Sequence, residues 1–220
     1  MKNNAELQKD VQNAIRWEPL LNAAEIGVTA EEGIVTLTGI VDNFFKKAEA
    51  ETAAKNVAGV KVVVENIEIK FPDSLAKKDD NDIAKEIILA WKGDFQIPQE
   101  KIKVKVENGW VTLEGELQKN YQKEAAKNLI KNLSGVTGVS NHITIKSESH
   151  DQLEKKDIES ALGRNWSIDD KHIDVNVSGH TVTLAGSVNS IYQKDQAAEI
   201  AWDAPGVWTV DNKLVVEYAD

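Results

Sequence analysis

GIVTLTG, residues 33–39, is a glycine-bounded, strand-like stretch that occurs three times in this chain. It returns as GWVTLEG at residues 109–115 and as HTVTLAG at residues 180–186, where histidine replaces the first glycine. A Gly-Val pair follows each copy, its glycine 20 residues beyond the closing glycine, and an isoleucine stands seven residues before each copy. Because all three copies keep this frame without an insertion, the 220 residues form three copies of one unit of about 70 residues.

All three copies predict the same order of elements, which the second copy illustrates. Apolar residues recur with helical spacing in 87–91 and again in 126–133. They alternate with polar residues in 102–113 around Asn108-Gly109, a strong signal for a hairpin turn, and a last strand follows at 143–145. The fold class is therefore α+β: three tandem αββαβ units, each a three-stranded mixed sheet with two helices on one face.

Polar, charge-rich segments separate the copies and predict unit boundaries at residues 1–72, 73–148 and 149–220. The first unit has 8 basic and 11 acidic residues, a net charge of -3, and the second has 12 of each, a net charge of 0. The third has 6 basic and 13 acidic residues, a net charge of -7. The net charge of the whole chain, -10, is therefore a poor guide to the charge of any one surface.

Composition excludes several classes of protein. The chain has no cysteine, which rules out disulfides, cysteine nucleophiles and thiolate zinc sites. It has no apolar run long enough for a transmembrane helix, and its acidity argues against a nucleic-acid partner. The first residues lack the apolar core of a signal peptide. We therefore expect a cytoplasmic protein if Met1 is the native start, or a periplasmic one if a signal peptide has been removed.

The residue types that usually carry catalysis or bind metals form no recognisable site. The four histidines show no i, i+4 pair and no accompanying ligand cluster, and there is no nucleophile–base pair or phosphate loop. They are His142, His150, His172 and His180. Asp80-Asn81-Asp82 precedes a predicted helix and is expected to cap it rather than bind a cation. We predict no enzymatic activity, no catalytic residue, no metal site and no cofactor.

Tryptophans and one recurring lysine are the other notable side chains. Trp91 lies on the apolar stripe of a helix and Trp166 occupies the position of Phe95, so both are predicted to be in cores. Trp17, Trp202 and Trp208 fall off the shared stripes and are candidates for contacts between units or with a partner. A lysine recurs on the second helix of each copy and is expected to face water, with an anion contact as the alternative. These lysines are Lys47, Lys123 and Lys194.

The Gly-x-Val-x-Leu-x-Gly strand, the alanine-rich helix, the Gly-Val pair and the Asn-x-Ile ending resemble the BON domain, the bacterial OsmY and nodulation domain. The resemblance covers roughly residues 5–70, 80–146 and 153–218, although the first copy has Glu65 where the others have asparagine. It implies a non-enzymatic protein that binds phospholipid or envelope proteins, often in osmotic stress. One branch of the family resembles periplasmic chaperones and another binds potassium. The resemblance implies no catalytic residue.

The sheet face opposite the helices is the candidate binding surface, because two helices cover only one side of a three-stranded sheet. In the second copy, alternation in the strands places several lysines and a tryptophan on that face. The candidate binding residues are Lys103, Lys105, Trp110 and Lys146. The corresponding faces of the other two copies lack this combination of lysines with an aromatic residue. Ordinary cross-strand packing and a buried contact between units are alternative explanations.

Two functions are consistent with this surface. The first is attachment to anionic phospholipid or another envelope surface, for which a basic face with an aromatic residue is suited. The second is a chaperone-like or protein-interaction role, in which three units offer several weak sites to an envelope or stress protein. The sequence does not define the oligomeric state.

Overall fold

The computed structural model describes residues 3–72, 78–146, 154–168 and 170–217. Each of the three sequence copies, called here the first, second and third repeat, forms helix, strand, strand, helix, strand in that order. The first repeat contains α1 (Asn4–Trp17), β1 (Ile26–Glu31), β2 (Ile34–Val41), α2 (Phe44–Lys55) and β3 (Val62–Ile69). The second contains α3 (Asp80–Lys92), β4 (Ile102–Glu107), β5 (Trp110–Leu117), α4 (Asn120–Lys131) and β6 (Gly138–Ile145). The third contains α5 (Lys155–Arg164), β7 (Ile173–Ser178), β8 (Thr181–Val188), α6 (Ile191–Asp203), β9 (Thr209–Asn212) and β10 (Val215–Val216).

Each repeat has its own mixed sheet, in which the second strand is central. In the second repeat, β4 and β5 are antiparallel with Val104 opposite Leu113, and β6 lies parallel to β5. The hairpin turn between β4 and β5 has positive φ at both Asn108 and Gly109, as the Asn-Gly signal predicts. In the third repeat the last strand is divided into β9 and β10, both of which pair in parallel with β8. The predicted α+β fold of three αββαβ repeats is confirmed.

Both helices of a repeat pack against the same face of its sheet. In the second repeat the core contains side chains from both helices and from the inner faces of the strands. Its largest members are Ile83, Ile87, Trp91, Leu113, Leu117, Ile130 and Ile143. The third repeat has an equivalent core around Leu162, Leu184 and Leu214. Since both helices occupy one side, the other face of each sheet carries the exposed side chains of the alternating strands.

The closing glycine of the repeated motif is required by a close backbone approach. Gly115 has a φ of 149°, and a Cβ atom on it would lie 2.2 Å from the carbonyl oxygen of Lys101. The equivalent Gly39 and Gly186 would place a Cβ 2.0 Å from a backbone oxygen. Any side chain there would push apart the hairpin and the turn that precedes it.

The Asn-x-Ile ending joins the last strand to the second helix. The Asn141 side chain donates from Nδ2 to the Lys123 carbonyl oxygen at 3.1 Å and accepts from the Ile143 N–H at 3.2 Å. Asn212 of the third repeat makes the same pair of bonds, with Lys194 and with the Leu214 N–H. The asparagine is therefore a structural link between helix and strand.

Two aspartates at the start of the second repeat, Asp79 and Asp80, form hydrogen bonds with a helix end and with a hairpin turn. Asp79, one residue before the predicted Asp80-Asn81-Asp82 cap, is the N-cap residue of α3 and accepts from the Asp82 N–H at 2.8 Å. Both carboxylate oxygens of Asp80 instead accept backbone N–H groups of the hairpin turn, at 2.9 Å from Asn108 and from Gly109. The prediction that Asp80-Asn81-Asp82 cap the helix is therefore wrong in its residues, because Asp79 is the cap and Asp80 binds the hairpin turn.

The compact bodies of the chain do not coincide with the three repeats. One body comprises Met1–Gly39, Glu49–Ile67 and Ser149–Asp220, and the other comprises Ile40–Ala48 and Glu68–Glu148. Within the first body, the Gly59 N–H of the first repeat donates to the Asn189 carbonyl oxygen of the third repeat at 3.1 Å. The unit boundaries at residues 1–72, 73–148 and 149–220 remain a proposal.

Trp91 is buried as predicted, with 2% of its surface exposed, whereas the prediction for Trp166 is wrong. Trp166 lies just beyond the end of α5 and is 97% exposed. The loop after α5 buries Ile168 instead, so the aromatic residue two positions earlier points away from the core. Phe95 and Ile97 show the same pattern in the second repeat, with Phe95 96% exposed and Ile97 buried.

The three tryptophans predicted to contact another unit or a partner differ in how far they are buried. Trp202 is half-buried and packs against the core of the third repeat. Trp208 stacks on the His180 ring, with centroids 4.0 Å apart, so it also contacts its own repeat. Trp17, at the end of α1, is largely exposed.

Candidate binding surface on the second repeat

The four predicted binding residues lie on the open face of the second repeat, the sheet face opposite α3 and α4. Their positions alternate along β4 and β5 with the core residues Val111 and Leu113, and Lys146 follows the end of β6. Half of the Trp110 surface is exposed, and Lys103, Lys105 and Lys146 are exposed. The structure therefore brings all four side chains to one side of one sheet.

Trp110 is held in place by β6. Its Nε1 donates to the Ser140 hydroxyl oxygen at 3.0 Å. Its six-membered ring lies over Gly138, where an added Cβ would come within 2.3 Å of the ring. Glycine at that position allows the ring to lie against the strand, so the exposed aromatic surface is fixed rather than free to rotate.

Three carboxylates share the open face with the three lysines. Lys105 Nζ lies 2.9 Å from Glu107 Oε2, and Lys146 Nζ lies 3.5 Å from Glu116 Oε1. Lys103 is directly opposite Glu114 in the antiparallel register. Counted together, the six charges cancel, so the lysines do not make this face basic.

These glutamates are the site residues that sequence reasoning missed. Glu107, Glu114 and Glu116 have the same alternation as the predicted residues, and that alternation alone places them on the open face. The signal was in the sequence, but the prediction selected the basic and aromatic residues and left the acidic ones out.

The other two repeats present different chemistry on the same face. In the first repeat the corresponding positions of β2 and β3 carry the partly exposed apolar residues Ile34, Val62 and Val64. In the third repeat Thr181 and Thr209 take the places of Trp110 and Gly138. An exposed aromatic ring flanked by charged side chains is thus a feature of the second repeat among these three faces.

The three histidines that the structure describes do not form a metal site. Among the described residues, no group of three or more His, Cys, Asp or Glu side chains could hold a metal ion. His142 is exposed on the open face, and His180 is bonded through Nδ1 to the Gly206 carbonyl oxygen at 2.8 Å. His150 lies outside the described residues.

The recurring lysine of the second helix is half-buried in each repeat rather than fully turned to water. At Lys123, burial lowers the pKa of the ammonium group, and the nearby Lys127 lowers it further, against the opposing effect of Glu124. The expectation that this lysine faces water is therefore only partly met. The anion contact remains an untested alternative.

Among the described residues, no helix has the length and apolar character that crossing a bilayer requires. The helices are at most 14 residues long and each places polar side chains on one face.

Comparisons with known proteins identify several chains that are similar to this one. Over 144 residues, which cover 62% of this chain and 72% of the relative, the chain is 29% identical to Osmotically-inducible protein Y of Escherichia coli (strain K12). Two solved structures of CdsD, a structural protein of the type III secretion system of Chlamydia trachomatis, also align with it. The first, its C-terminal domain, is 18% identical with a TM-score of 0.26, covering 98% of this chain and 100% of that chain. The second is 19% identical with a TM-score of 0.24, covering 96% and 92%. TM-scores this low do not show a common overall arrangement.

The family comparison accounts for nearly the whole chain. The model of the BON domain matches three consecutive segments, residues 3–70, 79–147 and 150–218. Each segment contains one complete helix-strand-strand-helix-strand repeat of the structure. This chain therefore belongs to the BON-domain family and carries three copies of the domain.

Proposed function

We propose that this chain is a non-enzymatic binding protein that attaches to a phospholipid or other envelope surface during osmotic stress. The role in osmotic stress is supported by its similarity to a protein whose name describes osmotic induction. Attachment is assigned to the open face of the second repeat. The two other repeats would then act as further weak contacts on the same surface.

The observation that carries this proposal is Trp110. A half-exposed indole fixed on an uncovered sheet can bury its remaining surface only against something outside the repeat. If about 100 Å² of aromatic surface is removed from water, the gain is about 2.5 kcal/mol. Because the lysines are balanced by glutamates, this gain exceeds the net electrostatic attraction of the face. Binding should therefore depend on Trp110 more than on salt.

A protein partner is the second candidate, and the paired charges favour it. Lys105–Glu107 and Lys146–Glu116 present both signs of charge beside an aromatic side chain. That combination suits a protein interface, which has an aromatic centre and a polar rim, better than a uniformly anionic membrane. This second function corresponds to the chaperone-like or protein-interaction role.

Vesicle co-sedimentation of the full chain tests the proposal. The arms are vesicles of phosphatidylcholine alone and vesicles that also contain phosphatidylglycerol, each at low and moderate salt. Trp110→Ala should reduce binding strongly, whereas Lys103→Glu with Lys105→Glu should reduce it only on the anionic vesicles. Phe95→Ala, which removes an exposed aromatic side chain of the same repeat outside the strands, is the matched control and should bind as the wild type does. If the wild type sediments with neither vesicle, the protein-interaction function takes its place.

A further inference from the structure

The third repeat contains a cleft that the open-face proposal does not use. It lies between α5 and α6, has a volume of about 770 Å³, and is open to solvent. One side is formed by the face of α5 that carries Asp157, Ala161 and Arg164, and the other by the C-terminal turn of α6 with Ile200 and Asp203. Its size is in the range of small-molecule and peptide sites, and its lining combines apolar and charged side chains.

The charged groups of this cleft have no partners within the described part of the chain. Neither carboxylate, Asp157 or Asp203, forms an ion pair or side-chain hydrogen bond with any described residue. In the second repeat the acidic residue equivalent to Asp157 is Glu86, and it is paired with Lys78 at 2.6 Å. The equivalent of Asp203 there is Asn132, which carries no charge. The third repeat therefore leaves two carboxylates without an ion-pair partner where the second leaves none, although Arg164 also lines the cleft.

Three further features indicate a cationic occupant with an apolar part. Trp166, 97% exposed, stands at the edge of the cleft, where its ring could cover a bound group. Partial burial raises the pKa of the Asp203 carboxyl group, so a nearby cation would offset the cost of its charge. The repeat as a whole has a net charge of -7 between residues 149 and 220, which attracts positively charged partners.

We propose that this cleft binds a basic segment of a partner protein. A lysine side chain of the segment lies with its aliphatic stem against Trp166 and Ile200 and its ammonium group toward Asp157 and Asp203. Arg164, on the same face of α5, is placed to donate hydrogen bonds to a carbonyl or carboxylate oxygen of the segment. The aliphatic stem of a lysine packs favourably against apolar side chains and its ammonium group pairs with carboxylates, and the cleft contains both kinds of side chain.

The test is fluorescence anisotropy of the full chain with a fluorescein-labelled nine-residue peptide of repeating Lys-Leu-Gly. Asp203→Asn should weaken binding by about tenfold, the effect of losing one close charge pair. It gives the third repeat the residue that the second repeat already has, so the variant is expected to fold. Trp166→Ala should weaken binding by about threefold. A peptide with norleucine in place of lysine should not bind measurably.

Glu159→Gln is the matched control, because it removes the same charge from α5 at a position paired with Lys155 and outside the cleft. It should leave peptide affinity within about twofold of wild type. Equal weakening by Glu159→Gln and Asp203→Asn would show that only net charge attracts the peptide and would overturn the proposal. Unchanged binding of Trp166→Ala would overturn it as well. Since the assay contains no lipid and leaves Trp110 intact, its failure is distinguishable from a failure of the open-face proposal.

Discussion

The balanced charges of the open face predict a gain of function. Replacing Glu107 and Glu116 by glutamine would release Lys105 and Lys146 from their ion pairs and remove two negative charges from the face. A basic residue near an anionic membrane contributes about 1 kcal/mol, and a carboxylate at the same place opposes by a similar amount. The double substitution should therefore strengthen binding to anionic vesicles by about 2 kcal/mol, or roughly 30-fold.

The assay is co-sedimentation with vesicles that contain phosphatidylglycerol, at 0.1 M and at 1 M salt. The gain should be nearly lost at 1 M salt, where charges are screened beyond about 3 Å. Glu51→Gln with Glu159→Gln is the control pair, because both glutamates are also paired with lysines but lie on helices. An equal gain in the control pair, or a gain below about threefold in the face variant, would refute the assignment of binding to this face.

Three further predictions concern stability, measured by urea denaturation. Gly115→Ala should destabilise the protein by more than about 2 kcal/mol because of its positive φ and the approach of the Lys101 oxygen. The control for it is Gly93→Ala, at a C-cap with helical φ and ψ, where the added Cβ would lie at an ordinary contact distance of 3.5 Å from the Ala90 oxygen; it should be neutral or slightly stabilising. Asn141→Asp should cost about 1 kcal/mol, because the carboxylate cannot donate to the helix carbonyl oxygen. The raised pKa of Asp203 means that the folded state binds its proton more tightly than the unfolded state. The stabilisation from this bound proton is present below the unfolded-state pKa and is lost as pH rises through the folded-state pKa. Asp203→Asn should therefore raise the free energy of unfolding above that of the wild type at pH 7 and not at pH 3.

The order of elements could be predicted because burial imposes a period on the sequence. Residues that face the core recur every third or fourth position in α3 and every second position in β5, and three copies of the pattern reinforce one another. The same reasoning placed Trp91 correctly. It failed for Trp166, because that residue lies in a loop, where no period relates chain position to burial. A loop aromatic two residues before a buried isoleucine cannot be distinguished from a core residue by composition.

The candidate surface was predicted in its positions and not in its charge. Strand alternation gives the face of each side chain, and it placed Lys105 and Trp110 on the open side. The ion pairs, and the packing of the Trp110 ring against Gly138, depend on which residues of neighbouring strands are opposite one another. That register is a property of the folded sheet. The cleft between α5 and α6 likewise arises only when the two helices pack together.

Site-specific labelling of the open face tests the central claim most directly. The chain has no cysteine, so Thr112→Cys, in the middle of that face, can carry a single environment-sensitive NBD fluorophore. The control is the same label at Thr183→Cys, the equivalent position of the third repeat. On anionic vesicles, the label at position 112 should brighten and shift to the blue while the label at position 183 does not change. No change at position 112, or equal changes at both positions, would contradict attachment through the open face of the second repeat.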